Sequence, residues 1–460
     1  MKVMIYTFSN TTRWWRYIAS RLDFASQTVL VSDLDDADVD ISPAFNRHMR
    51  EVGVEREAVQ ALGSEACDEI IARCRLLRLL DRDRAMRMIG AMWRTIEELL
   101  DWEKPDIFLS FIVDRYILDL FDRALVRRGI RYAGLAIGVL PETFMFMARG
   151  EHTAIREPSE AEVDAAVAAL AQPTFVPTYV SARRFGLARF LSIYARFTAR
   201  WVVFEALRIL RRRPHDYRYL TARWAGCGFR VRLRDWGVMR YLKNDWRRAL
   251  ENSPFDRRVF VALSVNPEAA IEYWVRDTRM IDYARVLERL AQSLAREGFR
   301  LFVKDHPSQF AFRQVEVFAN LAKEDSVSFV PYEVPGQWLI DRCGATFTWT
   351  GTVGLQTAVA GRCAVVESGA YYVTDGLFVV LRGTDDLDEL PRRIAGFKPS
   401  LPLPEARRAL VRKLLRASAP GDYMSWKGFS ATDPERARRA STVVASLNRY
   451  LPAFVKRGAA

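Results

Sequence analysis

The chain has 460 residues, half of them hydrophobic and 27% charged, which excludes a disordered polymer and points to two domains with room for an insert or linker. The 69 Lys and Arg residues outnumber the 56 Asp and Glu, for a net charge of +13 and an isoelectric point near 9.6. That balance favours an anionic partner: nucleic acid, a membrane surface or a phosphorylated substrate. The five cysteines, Cys67, Cys74, Cys227, Cys343 and Cys363, are odd in number and lack CxxC or Cys/His spacing. They argue against a disulfide framework or structural zinc and read as free, mostly buried thiols.

The opening "MKVMIYTFSN" passes from an apolar run to polar residues without the h-region and cleavage site of a signal peptide, and no stretch of about 18 uninterrupted apolar residues follows. The expectation is a cytoplasmic protein. From Lys2 to about Ile137, short β-rich runs alternate with helical stretches: "KVMIYTF", a helix with Trp14, Trp15, Ile18 and Leu22 on one face, and "TVLVSD". Two long helical stretches over about 64–103, "DIFLSF", a helix from Arg115 and "RYAGLAI" continue the pattern, which predicts a parallel sheet covered on both faces.

Over about 151–255 the rhythm breaks. A capped helix rich in Ala and acids is followed by Pro173 and Pro177, then by "ARRFGLARFLSIYARFTARWVVFEALRILRRRP", with apolar residues at helical spacing and arginines along the other side. Three readings of the basic aromatic zone from Arg183 through Trp246 stay open: a membrane-surface helix, a structural face, and, last, a nucleic-acid surface. No RRM, KH, helix-turn-helix or zinc-finger pattern accompanies the charge, so nucleic acid is not the expected partner.

After residue 256 the α/β rhythm resumes with "RVFVALS", "FRLFVKD", "VSFV", "ATFTWT", "CAVVES" and "LFVVL" separated by helical stretches, a second doubly wound domain. The predicted domains are 1–150, the insert 151–255, 256–400, and C-terminal helices over 401–460.

Two segments of the second domain carry chemistry. "LFVKDHPSQ" ends a strand in Lys304, Asp305, His306 and Pro307, and "TWTGTVGLQTAVAG" turns from a strand through Thr350, Gly351, Thr352, Val353 and Gly354 into a helix. Backbone N–H groups and two hydroxyls at such a turn suit a phosphate, and the helix dipole adds about 0.3–1 kcal/mol. It is no Walker loop, because the GK[ST] lysine is missing. His306 on the neighbouring strand end suits a donor to the same phosphate, as electrostatic stabiliser or general acid; the bland alternative is a helix cap or surface turn. The clusters "DLDD" (33–36) and "DDLDEL" (385–390) read as a loop and a helix start, and no metal site is predicted.

These segments, with "FVALSVNPEAAIEYW" (260–274), "SGAYY" and, upstream, "AGLAIGVLPETFMF", resemble in order and spacing the landmarks of the capsule polysaccharide biosynthesis glycosyltransferases. The likeness is good over about 255–375, loose over 1–150, and nearly absent over 151–255. It implies a GT-B fold, two Rossmann-like doubly wound domains facing a cleft with the helical basic insert between them. It also implies metal-independent transfer of a sugar, an ulosonic acid being one option, from a CMP- or UDP-linked nucleotide-sugar to a glycan or lipid-linked acceptor in bacterial surface polysaccharide synthesis, with no cofactor.

By that resemblance His306 contacts the donor phosphate, Thr350, Gly351, Thr352 and Val353 cradle it, and Pro267 and Glu268 line the nucleotide side. Tyr372 closes the pocket. Gln356 stands where the family has a glutamate for the ribose hydroxyls, a carboxamide in place of a charge. For the acceptor's base the candidates are Glu142, after "GVLP", and Asp114, before "RYILDL", where capping a helix is an equal alternative. A membrane surface, reached through 183–246, is a further partner under this reading. Rival readings on the same fold are a polyol-phosphate transferase or a sugar-nucleotide epimerase; a rival of another class is a non-catalytic membrane-associated scaffold.

Overall fold

The computed structural model describes residues 1–8, 11–33, 36–170, 172, 185–210 and 231–456. The chain forms two units, one including Met1–Pro158 and Leu414–Ala460, the other Ser159–Leu207 and Ala222–Lys413.

The first unit is built on strands β1 (Lys2–Thr7), β2 (Gln27–Ser32), β3 (Val39–Asp40), β4 (Ile107–Phe111), β5 (Arg131–Ile137) and β6 (Thr143–Phe146). β1 to β5 run parallel in the order 3-2-1-4-5, and β6 turns back antiparallel on β5. The seventh strand comes from far along the chain: β13 (Ser418–Pro420) pairs antiparallel with β6. Apolar runs such as Val3–Tyr6 and Ile107–Leu109 are buried throughout, as a sheet covered on both faces requires. The helix Thr12–Ala19 inserts Trp14 and Trp15, both 0% exposed, into the core, and Trp14 Nε1 donates to Ser425 Oγ at 3.0 Å. Val443, Leu447 and Leu451 of the helix Pro434–Lys456 close the same core.

The second unit holds β7 (Arg258–Ala262), β8 (Arg300–Lys304), β9 (Val327–Val330), β10 (Ala345–Phe347), β11 (Cys363–Glu367) and β12 (Val379–Leu381), all parallel, in the order 12-11-10-7-8-9. The helix Tyr283–Arg296 starts where Asp282 accepts the Arg285 N–H and buries Val286, Leu287, Leu290 and Leu294 against the sheet. Its apolar spacing is what the sequence predicts. The helix Leu187–Leu210 packs Phe190 and Ile193 into this core. Four cysteines, Cys67, Cys74, Cys343 and Cys363, are buried free thiols; Cys227 lies outside the described residues.

Each sheet reverses its strand order once, between β1 and β4 in the first unit and between β7 and β10 in the second. A doubly wound sheet opens a crevice at such a switch, beyond the carboxyl ends of its strands.

Candidate functional site

In the second sheet β7 stands between β8 and β10, so the loops leaving these three strands share one edge at the switch. Two strand spacings, roughly 10 Å, separate the β8 and β10 ends. His306 lies two residues beyond β8 and caps the 3₁₀ turn Pro307–Gln309: its Nδ1 accepts the Ser308 N–H at 3.1 Å. The helix-capping alternative and the strand-end position therefore hold together. An accepting Nδ1 carries no proton, which places the ring hydrogen on Nε2 and makes the neutral ring a donor from that atom.

Asp305 fixes the turn from inside. Its Oδ1 accepts the His306 N–H at 2.8 Å and the Arg313 guanidinium at 3.0 and 2.8 Å, and its Oδ2 accepts the Tyr332 hydroxyl at 2.8 Å. Arg313 in turn donates to the Ser264 carbonyl, just past β7, at 2.6 Å. Asp305 and Arg313 are both buried, and the further hydrogen bonds from the His306 N–H and the Tyr332 hydroxyl to Asp305 and from Arg313 to the Ser264 carbonyl support a buried ion pair. The loops after β7 and β8 are thus joined through one guanidinium.

Lys304 ends β8 with its ammonium buried, 3.4 Å from the Asp305 carbonyl. Burial pushes its pKa down to about 8, against the partial support of Asp305 and Glu333. A second negative group, such as a phosphate, is the partner that would stabilise its charged form.

After β10, Trp349 stacks on Tyr283 with ring centroids 4.4 Å apart, and Thr350 turns its hydroxyl inward to the Ala270 carbonyl at 3.0 Å. The sequence reading had both threonine hydroxyls facing outward; Thr350 is buried, and its hydroxyl takes an internal partner. The helix Thr352–Val359 begins after Gly351 without a side-chain cap, and the Gly354 N–H closes its first turn on the Gly351 carbonyl at 3.0 Å, so the positive end of the helix dipole lies at this turn. Gly354 is required by close approach: a Cβ there would meet Val366 Cγ1 at 2.6 Å and Tyr372 Oη at 2.7 Å. Tyr372 is buried and donates to the Gly351 carbonyl at 2.6 Å, so it supports the turn from beneath. Gln356 is half-buried one turn further along this helix. Pro267 and the exposed Glu268 lie in the loop after β7, where Glu268 precedes the helix Ala269–Glu272.

In the first unit, Asp114 follows β4 at the switch, but it is held in a two-pronged pair by Arg115 at 2.7 and 2.8 Å. Burial raises its pKa, and the Arg115 charge and hydrogen bonds outweigh that and hold it below the usual carboxylate range; such a group is a weak base. Glu142 is exposed in the β5–β6 turn with φ of 50°, and it makes no side-chain hydrogen bond among the described residues. The acids of 385–390 face arginines: Asp385 pairs with Arg279 at 2.8 Å, and Asp388 with Arg289 at 2.5 Å. In the "DLDD" cluster Asp33 is buried at the end of β2, and Leu34 and Asp35 lie outside the described residues. So does much of the basic aromatic zone, including Arg183 and 211–230.

The sequence reading missed Arg313, Tyr332, Ser264 and Gln309. Only Gln309, inside the quoted "DHPSQ", carried a local signal.

Two doubly wound α/β units, the second wholly parallel with a histidine turn and a glycine turn around its switch point, define a protein of the two-Rossmann-unit GT-B class. Residues 223–408 match the model of the capsule polysaccharide biosynthesis protein family. A search of curated proteins finds no match. Among solved structures, the chain is similar to the β-Kdo 2,7-transferase of Thermosulfurimonas dismutans KpsC at 15% identity and TM-score 0.32, over 70% of this chain and 80% of that one. The β-Kdo 2,4-transferase of the same KpsC is matched at 14% identity and TM-score 0.31, over 67% of this chain and 80% of that one. The UDP-GlcNAc 2-epimerase of Neisseria meningitidis bound to UDP-GlcNAc is matched at 11% identity and TM-score 0.28, over 90% of this chain and 100% of that one.

Proposed function

We propose that the protein is a glycosyltransferase of capsule-like polysaccharide synthesis, whose second unit binds a CMP- or UDP-linked sugar at the switch point between β7 and β10. The observation that carries this reading is that the His306 turn and the Thr350–Gly354 turn flank β7 on either side, within the stretch matched by the family model. In the reaction an acceptor hydroxyl forms a bond to the anomeric carbon, the bond from that carbon to the phosphate oxygen breaks, and the electron pair leaves with the phosphate. His306 donates from Nε2 to that oxygen, and the dipole at the N-terminal end of the helix Thr352–Val359 favours the remaining charge. Lys304 adds a cation behind them. The acceptor's proton goes to a carboxylate base; Glu142 fits this better than Asp114, which Arg115 already engages. Gln356 accepts from ribose hydroxyls, and Glu268 and Pro267 border the nucleoside. The acceptor is glycan or lipid-linked, and the helix Leu187–Leu210 is the segment that meets an anionic membrane.

The test is a thermal-shift panel of CMP, CDP, UDP, GDP and ADP on wild type and on His306→Ala. A nucleotide at a hundredfold over its dissociation constant adds about 2.7 kcal/mol. We expect one nucleotide to stabilise wild type and not the variant, and the variant to transfer sugar about 10²–10⁴ more slowly. If no nucleotide stabilises either protein, the donor site is misplaced and a non-catalytic scaffold becomes the better reading.

A further inference from the structure

Beside His306, Gln309 presents an unusual side chain. It is 1% exposed, and neither its Nε2 nor its Oε1 has a hydrogen-bond partner among the described residues. Native folds rarely leave a buried amide unpaired on both sides, and where they do, water or a ligand supplies the partner. Its position narrows the choice. The Gln309 N–H donates to the His306 carbonyl at 2.8 Å, closing a turn that brings the two Cα atoms within about 7 Å.

A second orphan lies close by. The Ser264 hydroxyl, past the end of β7, is also buried without a partner among the described residues. Arg313 joins the two loops, donating its N–H to the Gln309 carbonyl at 2.9 Å and its guanidinium to the Ser264 carbonyl at 2.6 Å. Two unpartnered polar side chains thus sit on adjacent strand ends at the switch point, beside the histidine.

We propose that Gln309 is a binding residue for the nucleotide-sugar, its Nε2 donating to a phosphate oxygen and its Oε1 accepting from a hydroxyl of the sugar joined to that phosphate. A phosphate alone offers only acceptors and would leave Oε1 unmet; a phosphate with a neighbouring hydroxyl satisfies both ends of the carboxamide. The proposal rests on the reading of this edge as the nucleotide-sugar site. It differs from the roles of His306 and the glycine turn in requiring a group that both donates and accepts.

The experiment measures the dissociation constants of CMP and UDP by calorimetry, and melting temperatures without nucleotide, for wild type, Gln309→Met and His306→Ala. Methionine keeps the length and fills the same space without polar atoms. Gln309→Met is expected to melt at or above wild type, because it removes an unsatisfied group, yet to bind the favoured nucleotide about ten- to a hundredfold more weakly. Weakening of less than about threefold overturns the proposal, and a buried water is then the amide's partner. If His306→Ala weakens binding and Gln309→Met does not, the donor site stands and the role of Gln309 falls. If wild type binds neither nucleotide at millimolar concentration, both fall together. Should Gln309→Met fail to fold, Gln309→Asn, which withdraws the amide by one methylene, is judged by the same threefold criterion.

Discussion

If the proposed donor site is right, Lys304 is the residue at which pH and ligand binding meet. Its folded pKa of about 8 lies below the 10.5 of an exposed lysine. Below about pH 8 both folded and unfolded chains hold the proton, and the folded state carries the full penalty of a buried ammonium, roughly 3 kcal/mol. Between about 8 and 10.5 the folded chain has released the proton and the unfolded chain has not, so stability without ligand rises with pH across that window. Lys304→Met is expected to be more stable than wild type at pH 7 and to lack this rise, checked by urea denaturation from pH 7 to 10. An anionic nucleotide favours the ammonium, so its affinity for wild type should fall as pH passes 8. A slope unchanged in the variant would assign the rise to another group.

At the scale of elements, the parts readable in the sequence were those whose cause is local. A strand ending in charge, a glycine turn opening a helix and the 3.6-residue periodicity of Tyr283–Arg296 are each decided by residues a few positions apart. The Asp305 clamp is different: Tyr332 stands 27 residues away, and nothing in either segment announces the pairing. The outward role expected of the Thr350 hydroxyl failed for a similar reason, since its partner is the Ala270 carbonyl, 80 residues upstream. The helix Leu187–Leu210 is the clearest case of a pattern read from sequence yet left open in meaning. Its first half buries Phe190 and Ile193, but Trp201, Val202 and Val203 are 46%, 53% and 57% exposed, and Arg196 and Arg200 stand beside Phe197. No helix among the described residues is long and apolar enough to cross a membrane; the proposed contact of this one with an anionic surface is open to a direct test. Wild type is expected to sediment with phosphatidylglycerol vesicles at low salt and not with phosphatidylcholine ones, and Trp201→Glu to weaken that binding about tenfold. Equal sedimentation with both lipids would remove the electrostatic part of the idea.

On the scale of the whole molecule, the alternation of strands and helices in the sequence was enough to give two doubly wound units, because that alternation leaves few topologies open. What it did not show is that the first unit is completed by Leu414–Ala460. β13 covers the edge of β6, and Val443, Leu447, Leu451 and Phe454 close the core around Trp14 and Trp15. Until that segment arrives, β6 is an open edge able to pair with another chain. A chain ending at Lys413 should therefore lose its first unit to limited proteolysis while a fragment of the second survives; equal protection of both units would show that the first folds without its tail.

The same arrangement sets a timetable on the ribosome. The first unit's opening segment, Met1–Pro158, emerges early, but its closing segment follows only after residues 159–413 have been made, a wait of roughly 13–50 s at about 5–20 residues per second. At its end the second unit is complete while the first still lacks Leu414–Ala460, so the second can finish folding first and the order of birth and the order of completion of the two units are reversed.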